Sequence, residues 1–564
     1  HSREKIRLYG SNDYNRDRTF NRWFADVDYN VPVFCGQIES GFLSRTEPTT
    51  ESHNANFGFD AYLTSRTTLG ASVRYNNSDV ASAVRNTADY LLTQSDSLIN
   101  VGVVLDGNNV WDNVTSNVYL EQKIGKGSIQ LDYDYLYFKN ENTSQVQTSF
   151  SDDESNEIIP DDEQFSTRQR SLSNTPISIN VVKLDYSVDL NDEVKLETGV
   201  KGTLTASDSE SGIQALVNGE WVNVGSTTTD LDMDETVAAF YTSFNVKVSP
   251  TVNINAGVRY EYSDTEVAAV KPENEVDREL SELFPSLFLS KKINDDMDLN
   301  FSYSRRISRP TYNDLASTVT YSDPTSVYSG NPLLRPTITN TVKMDYRVKD
   351  YSFSLSASRD DNPIARFQIT RAGDIDLLVV GPVNVDYQNN LTFQTNIPYK
   401  ITDWWTTNQG FVGGWRQFRL AHTAENVEHT YFGFNLYGSQ TFSLPKGYSL
   451  ELSGWFNSAS FNGSVRVESF GALNLGLKKD LPNNMGSFQF SVSDLLKSIN
   501  ITSGFGSLTR EAFDVSSSLD FMAESARARI VKFTYSKSFG GNKVRGKKWR
   551  GSGSQDEENR VLRN

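Results

Sequence analysis

The feature that most constrains this chain is a strict alternation of apolar and polar residues. Val182, Leu184 and Tyr186 alternate with Lys183 and Asp185. Successive side chains of a β-strand point to opposite faces, so one face of this segment is apolar and the other is charged. After a short polar turn the alternation resumes in a second segment, and the same unit recurs along most of the chain. The pattern predicts β-hairpins with one apolar and one polar face.

Short clusters of Gly, Pro, Asn, Asp and Ser separate the paired segments and have the composition of hairpin turns. They lie near Pro32, Ser65-Arg66, Gly125-Lys126-Gly127, Asn191-Asp192, Ser249-Pro250, Asn294-Asp295-Asp296, Lys349-Asp350, Thr402-Asp403, Pro445-Lys446-Gly447 and Pro482-Asn483-Asn484. These turns account for about twenty strands, and further segments near Arg3–Tyr9 and Arg527–Phe539 bring the predicted total to about 22. Long polar segments between the hairpins are predicted loops, at roughly 76–112, 140–176, 207–234, 264–282, 306–336 and 494–526. Residues 80–110 and 361–390 fit strand and loop equally well.

Alternating short turns and long loops predict an all-β fold, a transmembrane antiparallel up-and-down β-barrel of about 22 strands. The chain has no apolar run near the ~20 residues that a membrane helix needs, but only alternate residues of a barrel strand contact lipid. The aromatic content of 26 Tyr, 32 Phe and 8 Trp suits aromatic girdles at two membrane interfaces. Trp404 and Trp405, next to a short turn, are assigned to the periplasmic girdle rather than to ligand stacking.

One large unit and a tail make up the predicted organisation. Residues 1–539 form the barrel, and residues 540–564 form a charged periplasmic extension with basic residues followed by acidic ones. The net charge of −17 argues against nucleic-acid binding. Cys35 is the sole cysteine, so the chain forms no internal disulfide and no cysteine-based zinc site.

Several stretches resemble a known family. They are Leu299–Leu315 (LNFSYSRRISRPTYNDL), Tyr328–Pro336 (YSGNPLLRP), Leu283–Ser290 and the closing strand Ile530–Phe539. Together they resemble the barrel of TonB-dependent receptors, and most closely the outer-membrane protein β-barrel family common in Bacteroidetes. The resemblance covers residues 50–564.

The resemblance implies a location in the outer membrane and active import of a scarce nutrient such as a siderophore, glycan or peptide. It also implies three partners besides outer-membrane lipid: an extracellular ligand, a plug domain upstream of His1, and the TonB complex of the inner membrane. A lumen of about 22 strands is too wide for wall side chains to fill. This supports the expectation of a plug, and the chain is expected to be a mature protein or part of a longer one.

The candidate site residues lie where a strand leaves the membrane and in the following loop: Arg305, Arg306, Arg309, Asn331 and Arg335. One interpretation places the arginines in the lumen or against a ligand. The other has them anchor a loop or pack on a plug, with Pro310 ending the strand because proline cannot donate to the ladder. Asn331 and Arg335 each precede a proline, which favours a role in shaping the loop.

Other polar clusters are weaker candidates. The acidic segment 151–164 lacks the spacing of an EF-hand and is interpreted as a solvated loop rather than a calcium site. His422 and His429 fall near one predicted hairpin mouth but lack a third ligand, so no metal site is predicted. No motif for nucleophilic catalysis is present, and neither enzyme activity nor a cofactor is expected.

Three functions remain open at this point. The first is the barrel of a TonB-dependent importer. The second is a passive porin or an exporter, and the third is a structural or adhesive barrel whose loops bind a partner. Fold alone does not decide among them. A plug and TonB box upstream of His1 favour the first, whereas a signal peptide directly before His1 favours the others.

Overall fold

The computed structural model describes residues 5–31, 36–93, 95–160, 162–224, 227–270, 272–316, 320–371, 378–423, 426–508, 520–525, 529–537 and 553–561. Strands account for 77% of the described residues, and the helices among them are few and short. None of the helices in the described ranges is long and apolar enough to cross a membrane.

The first half of the chain contributes β1 (Ile6–Arg18), β2 (Asn21–Val31), β3 (Gly36–Tyr62), β4 (Thr67–Leu92), β5 (Ser97–Ile124), β6 (Gly127–Asp152), β7 (Glu157–Ile158), β8 (Arg168–Asp189), β9 (Val194–Val217), β10 (Glu220–Asn223), β11 (Thr229–Ser249), β12 (Val252–Ala269), β13 (Val276–Asn294) and β14 (Met297–Ser308). The second half contributes β15 (Thr320–Asp323), β16 (Ser326–Tyr328), β17 (Thr337–Val348), β18 (Tyr351–Asp361), β19 (Ile364–Arg371), β20 (Leu378–Asn384), β21 (Tyr387–Lys400), β22 (Trp405–Leu420), β23 (Val427–Leu444), β24 (Tyr448–Asn457), β25 (Ser460–Asn462), β26 (Val465–Val467), β27 (Phe470–Asp480), β28 (Ser487–Val492), β29 (Ile501–Gly504), β30 (Asp520–Ser525) and β31 (Val531–Ser536). The helices are α1 (Tyr312–Leu315), α2 (Gln555–Asn559) and the 3-10 turns Glu163–Phe165, Pro272–Asn274, Pro445–Gly447 and Pro482–Asn484.

One antiparallel sheet forms the barrel wall. Its long strands follow one another in the order β3, β4, β5, β6, β8, β9, β11, β12, β13, β14, β17, β18, β21, β22, β23, β24, β27, β28 and β31, each paired with the next. The two ends of the chain meet where β2 pairs with β30, Asn21 opposite Ser525. The wall amounts to about 23 strands, which confirms the predicted all-β transmembrane barrel.

The short turns lie where the sequence predicts them. The predicted turns from Ser65 onward fall between consecutive strands; for example, β8 ends at Asp189 and β9 begins at Val194. Gly125 and Lys446 adopt positive φ angles of 56° and 61°, the left-handed conformation that tight turns require. The turn predicted at Pro32 lies outside the described residues.

The long loops are shorter than predicted, and this part of the prediction is wrong. Residues 76–112, expected to be a loop, are mostly the continuous strands β4 and β5, which pair along their full length up to Leu92 opposite Ser97. Strands β6, β8, β9 and β11 extend in the same way into predicted loops. In the outer parts of these strands the apolar residues change sides: Val101, Val103 and Phe150 point inward and are buried, so the outward apolar alternation stops although the backbone pairing continues.

The outer face of the wall is apolar and its inner face is charged, as predicted. Val182, Leu184 and Tyr186 are exposed on the outer surface, and Leu184 exposes 42% of its area. The inward-pointing Lys183 and Asp185 form an ion pair at 2.7 Å. Because a shift of one residue would put these charges into hydrocarbon, the alternation fixes the register of the sheet.

The interior is filled in part by the chain itself. Strands β15, β16, β20 and β19 form a second, four-stranded sheet, named here the inner sheet, in which β16 and β20 are parallel. Val327 and Ile369 of the inner sheet pack against Ile38, Tyr90 and other inward-pointing residues of the wall. A second apolar cluster joins the wall to α1 through Tyr312 and Leu315. The connections that follow β14 and β18 are therefore folded into the lumen.

We predict that arginine at an outward position destabilises the barrel, whereas arginine at an inward position of the same strand is tolerated. Leu184→Arg should lower the free energy of unfolding by about 2–4 kcal/mol, the cost of a charge near the middle of the bilayer. Ser187→Arg, on the inner face, is the matched control. Urea unfolding of protein reconstituted in lipid vesicles measures both, and equal effects at the two positions would contradict the assigned faces.

Candidate functional site

A group of buried charges lies on the inner wall, and it is named here the inner charge cluster: Glu235, Arg259, Glu261, Arg309 and Arg560. Glu235 and Glu261 come from the adjacent strands β11 and β12 and are almost fully buried. Arg309 lies between them, paired with Glu261 and with its Nε 3.9 Å from Glu235. Arg259 donates to Glu261 at 2.8 Å, and Arg560 pairs with Glu235. Each carboxylate therefore has two arginines, which offsets the cost of burying its charge.

The position of Arg309 follows from the turn directly after it. Pro310 cannot extend the ladder of β14, and Thr311 then caps α1 by accepting from the Asp314 backbone N–H, while the Asp314 carboxylate accepts from the Thr311 N–H. This capping box sends the chain inward, so that Tyr312 and Leu315 enter the apolar cluster. The Asp314 carboxylate also receives two hydrogen bonds from Arg366, of 2.9 and 2.7 Å. These bonds join α1 to strand β19 of the inner sheet.

Of the four candidate arginines, Arg309 alone belongs to the inner charge cluster. Arg305 donates to Glu282 at 2.6 Å and to the Leu283 carbonyl at 2.6 Å, so it ties the end of β14 to β13. The side chain of Arg306 is exposed. The structure thus gives Arg305 the loop-anchoring geometry and Arg309 a lumenal position. Their functional roles stay predictions.

Asn331 and Arg335 hold the loop through backbone contacts. The Asn331 side chain donates to the Pro382 carbonyl at 3.1 Å and accepts from the Leu333 N–H at 3.0 Å. The backbone of Arg335 forms a reciprocal pair with the Asn384 amide, at 2.7 and 3.0 Å. Both contacts fasten the segment before β17 to strand β20, and they fit the loop-shaping interpretation.

Sequence reasoning missed the part of the site contributed by the C-terminus. Residues 540–552 of the predicted tail lie outside the described residues, but Gly553–Val561 lies against the inner wall. Lys201 of β9 pairs with Glu557 at 2.9 Å, and Arg74 of β4 pairs with Glu558 at 3.3 Å. Burial alone lowers the pKa of the Arg560 guanidinium, but the charge of Glu235 outweighs burial and the net pKa is raised. In the sequence, the mixed charge of the tail does not indicate which wall residues it pairs with.

An apolar cavity of about 610 Å³ lies between the inner sheet and the wall and is named here the inner chamber. Trp23, Phe42 and Tyr90 line it from the wall, and Tyr328 and Phe367 line it from the inner sheet. Phe367 has a φ of 61° at an irregularity of the β19–β20 pairing. A bulky residue rarely adopts this conformation, and strain of this kind is concentrated at functional sites.

The inner chamber has one buried acid at its edge. Asp323 accepts from the Thr325 backbone N–H at 2.8 Å and from its hydroxyl at 2.6 Å, and it also accepts from the Ser326 hydroxyl. Burial raises the pKa of Asp323, and these hydrogen bonds oppose the rise. The inner sheet is also tied to the β25–β26 hairpin by the buried Gln368, whose amide oxygen accepts from the Ser464 N–H at 2.8 Å. The chamber is therefore an apolar space with a fixed polar rim.

A larger cavity of about 1270 Å³ lies elsewhere, at the outer ends of β3 to β9. Its lining includes Arg170 and Leu172 of β8 and Glu210 of β9. In β8, Arg170 and Leu172 lie an even number of residues from Leu184, and in β9 Glu210 lies an even number from Val200. All three therefore point outward, as Leu184 and Val200 do. The larger cavity is therefore formed mainly by the outer face of the sheet, and the inner chamber is the better candidate for a lumenal ligand site.

Metal ligands do not cluster in the described part of the chain: no group of three or more His, Cys, Asp or Glu side chains there is placed to hold an ion. His429 packs against the ring of Phe461 at 4.5 Å. Of the acidic segment 151–164, Asp152 accepts from the Asn156 N–H at 2.7 Å and caps a turn. Its pKa is lowered by the hydrogen bonds from Asn156.

A closed antiparallel wall with an apolar outer face and a charged, partly filled interior defines a large outer-membrane β-barrel. Residues 122–535 match the outer membrane protein beta-barrel family, and the chain belongs to this family. The protein is therefore located in the outer membrane. A comparison with curated protein sequences finds no match.

Solved structures resemble this one at low sequence identity. The copper transporter OprC is 9% identical, with a TM-score of 0.51 over 91% of this chain and 80% of that one. The siderophore receptor PiuA from Acinetobacter baumannii is 9% identical, with a TM-score of 0.48 over 90% of this chain and 81% of that one. The alcaligin receptor FauA from Bordetella pertussis is 12% identical, with a TM-score of 0.44 over 90% and 75%. At such identities the likeness shows the fold alone.

We predict that Arg309 stabilises the barrel and that Arg306 does not. Arg309→Met leaves Glu235 and Glu261 buried with one arginine each, and should lower the free energy of unfolding by about 2–4 kcal/mol, near the cost of breaking a buried ion pair. Arg306→Met, at an exposed position three residues earlier, should change it by less than about 0.5 kcal/mol. Urea unfolding in lipid vesicles measures both variants. A neutral Arg309→Met would show that the cluster does not need this charge.

We predict that acid destabilises the connection between β22 and β23 through His422. Burial lowers the pKa of His422 from its usual 6.5 to about 4. The folded protein therefore binds this proton less readily than the unfolded chain, so stability present above pH 6.5 is lost as the pH falls toward 4. The loss is about 3 kcal/mol or less. Melting temperatures at pH 7.5 and pH 4 measure the effect. The difference between them should become smaller in His422→Gln, whereas His53→Gln should leave the difference unchanged.

Proposed function

We propose that this protein is the barrel of a TonB-dependent receptor that imports a scarce nutrient across the outer membrane. Outward connections capture the ligand, and the inner wall guides it once the lumen opens. The family assignment supports a place in the outer membrane, and the motif at Leu299–Leu315 resembles such receptors. A solved structure with this fold is named as a copper transporter, which fits import rather than catalysis.

The observation that carries the proposal is the inner chamber. Connections after β14 and β18 fold into the lumen and enclose about 610 Å³, within the ~300–1,000 Å³ typical of small-molecule sites. Aromatic and aliphatic side chains together make up most of its lining, and Asp323 and Asn462 supply polar groups at its edge. This chemistry suits a small ligand with an aromatic or aliphatic part. An apolar chamber of this kind favours a specific importer over a passive pore.

We propose two further partners from the receptor resemblance. A plug domain upstream of His1 closes the remaining lumen, and the TonB complex supplies the energy to move the plug. The width of a barrel of about 22 strands supports the first, since such lumens are plugged in natural examples. Bilayer conductance with and without the upstream segment tests it: the longer chain should conduct less, and equal conductance would remove the plug from the proposal.

We predict that filling the inner chamber strongly reduces import. Val467, half-buried in the chamber lining, becomes a much larger side chain in Val467→Trp, which should reduce uptake at least about tenfold, as expected when a ligand loses its fitted site. Val342→Trp, at an exposed outward position, is the matched control. The assay compares cells lacking the protein with complemented cells for depletion of ferric siderophores, oligosaccharides and peptides from the medium.

A protonophore separates the competing functions. Uptake that depends on the protein and stops with the protonophore supports a TonB-dependent importer. Uptake that continues with the protonophore identifies a passive pore. Complemented cells that deplete none of the three nutrient classes would leave the structural or adhesive barrel as the better reading.

A further inference from the structure

The C-terminal segment, Gly553–Val561, is held inside the barrel by specific side chains. Glu557 accepts from the Lys201 ammonium at 2.9 Å and from the Thr203 hydroxyl at 2.9 Å. The side chains of Lys201 and Glu557 are both more than 90% buried. Gln555 and Asn559 of the same helix are exposed, and the largely exposed Asp556 adds a second, longer contact to Lys201 at 3.4 Å. One face of α2 therefore carries the contact, and the other faces open space.

The end of the segment binds two parts of the protein at once. The Arg560 side chain pairs with Glu235 on the wall and donates to the Pro310 carbonyl at 3.1 Å. Its guanidinium lies 4.2 Å from the centre of the Tyr312 ring, a cation–π contact. The Tyr312 backbone N–H donates to the Arg560 carbonyl at 3.0 Å. Arg560 thus bridges the wall and the connection that follows β14.

An apolar contact completes the binding. Val561 is buried in the cluster that contains Tyr312, Leu315 and Leu334 together with wall residues. The site therefore recognises an acid, a guanidinium and an aliphatic group in a fixed order. These are three separate chemical requirements that a random tail would not meet.

Helix α2 depends on this site for its structure. Its five residues are too few for a stable isolated helix in water, since nucleation is unfavourable and few bonds follow it. Burying Glu557 and Arg560 is favourable only while Lys201 and Glu235 are present as partners. Folding of the segment and its attachment to the wall are therefore one event, and breaking the ion pairs releases both.

We propose that the inner wall and α1 together form a peptide-binding site, made of Lys201, Thr203 and Glu235 of the wall and Tyr312 of α1, which holds the C-terminal segment of the same chain as a removable lock. The bound segment occupies lumenal space and fixes the connection at Pro310 and Tyr312. Its release frees that connection and widens the lumen. This inference does not depend on the proposed import function, because it holds for any barrel with these contacts.

Chemical labelling tests the attachment directly. In the full chain with Cys35→Ser, Val561→Cys reports on a buried position and should react slowly with a maleimide-polyethylene glycol. Adding Glu557→Lys places two cations together and should raise the labelling rate at least about tenfold, as the loss of a buried pair predicts. Adding Lys201→Glu to that variant restores opposite charges and should lower the rate again. Gln555→Lys, on the exposed face of the same helix, is the matched control and should have no effect.

Conductance tests the role as a lock. In planar bilayers the Glu557→Lys chain should show a larger single-channel conductance than wild type, and the double variant should return toward the wild-type value. A synthetic peptide of residues 553–564 should reduce the conductance of Glu557→Lys, and a peptide with Arg560→Glu should not. Because Glu557 lies outside every strand of the wall, this substitution leaves barrel assembly intact, which heat-shifted migration in gel electrophoresis verifies.

Two results would overturn the proposal. If wild-type Val561→Cys reacts as fast as the Glu557→Lys variant, the segment is not held at the wall. If labelling changes as expected but conductance and the peptide effect do not, the segment binds the wall without locking the lumen. Nutrient uptake does not enter either measurement, so failure here is distinct from failure of the import proposal.

Discussion

The whole structure depends on the pairing of backbone N–H and C=O groups where no water is available. At membrane depth each unpaired group costs several kcal/mol, about the strength of a lost hydrogen bond in apolar surroundings, so the sheet has to close on itself. Closure through β2 and β30 brings residues near both ends of the chain together. Since the outer face contacts lipid, it takes the apolar half of each alternation and leaves the polar half inside. The charged interior is therefore a consequence of closure rather than a separate design feature.

A charged interior creates its own requirement for partners. Glu235 and Glu261 point inward from the adjacent strands β11 and β12 and share Arg309, and two buried carboxylates that contact one side chain would repel each other without cations. Arg309 reaches them from the connection after β14, and Arg560 reaches them from the C-terminus. Elements that are not part of the wall are thus drawn inward by charge, and Tyr312, Leu315 and Val561 follow into an apolar cluster. The inner charge cluster and this apolar cluster stabilise the same inward-folded segments.

What could be read from the sequence is what short-range physics determines. The turns at Asn191-Asp192 and Lys349-Asp350 were found because turn chemistry acts over a few residues. The faces of Leu184 and Lys183 were found because alternation is local. The extent of β4 and β5 was missed, since in their outer parts the apolar residues point inward and the lipid-facing alternation ends while the ladder continues. The inner sheet was missed because β16 pairs with β20, some fifty residues later, in a parallel arrangement that no local pattern encodes.

The candidate site also divides into features that the local sequence predicts and features that depend on distant residues. Arg309 was selected because a cluster of arginines before a proline is visible in the sequence, but its partner carboxylates were not identifiable. Glu557 and Lys201 are 356 residues apart, and each looks like an ordinary surface charge when read alone. Only the closed barrel brings them within 2.9 Å. The tail was therefore interpreted as a solvated periplasmic extension, the usual fate of mixed charge without apolar periodicity.

Helix α1 links the two interior features physically. Asp314 of α1 accepts two hydrogen bonds from Arg366 of β19. The next residue of β19, Phe367, lines the inner chamber. Through Tyr312, α1 contacts Arg560 of the C-terminal segment. The capping box makes these four residues one rigid unit, since Thr311 and Asp314 hold each other. A displacement of β19 must either move α1 or break the Arg366–Asp314 pair, and a displacement of α1 must strain the contacts of Arg560. The chamber and the C-terminal segment are consequently not independent, because the same four-residue helix connects both to the wall.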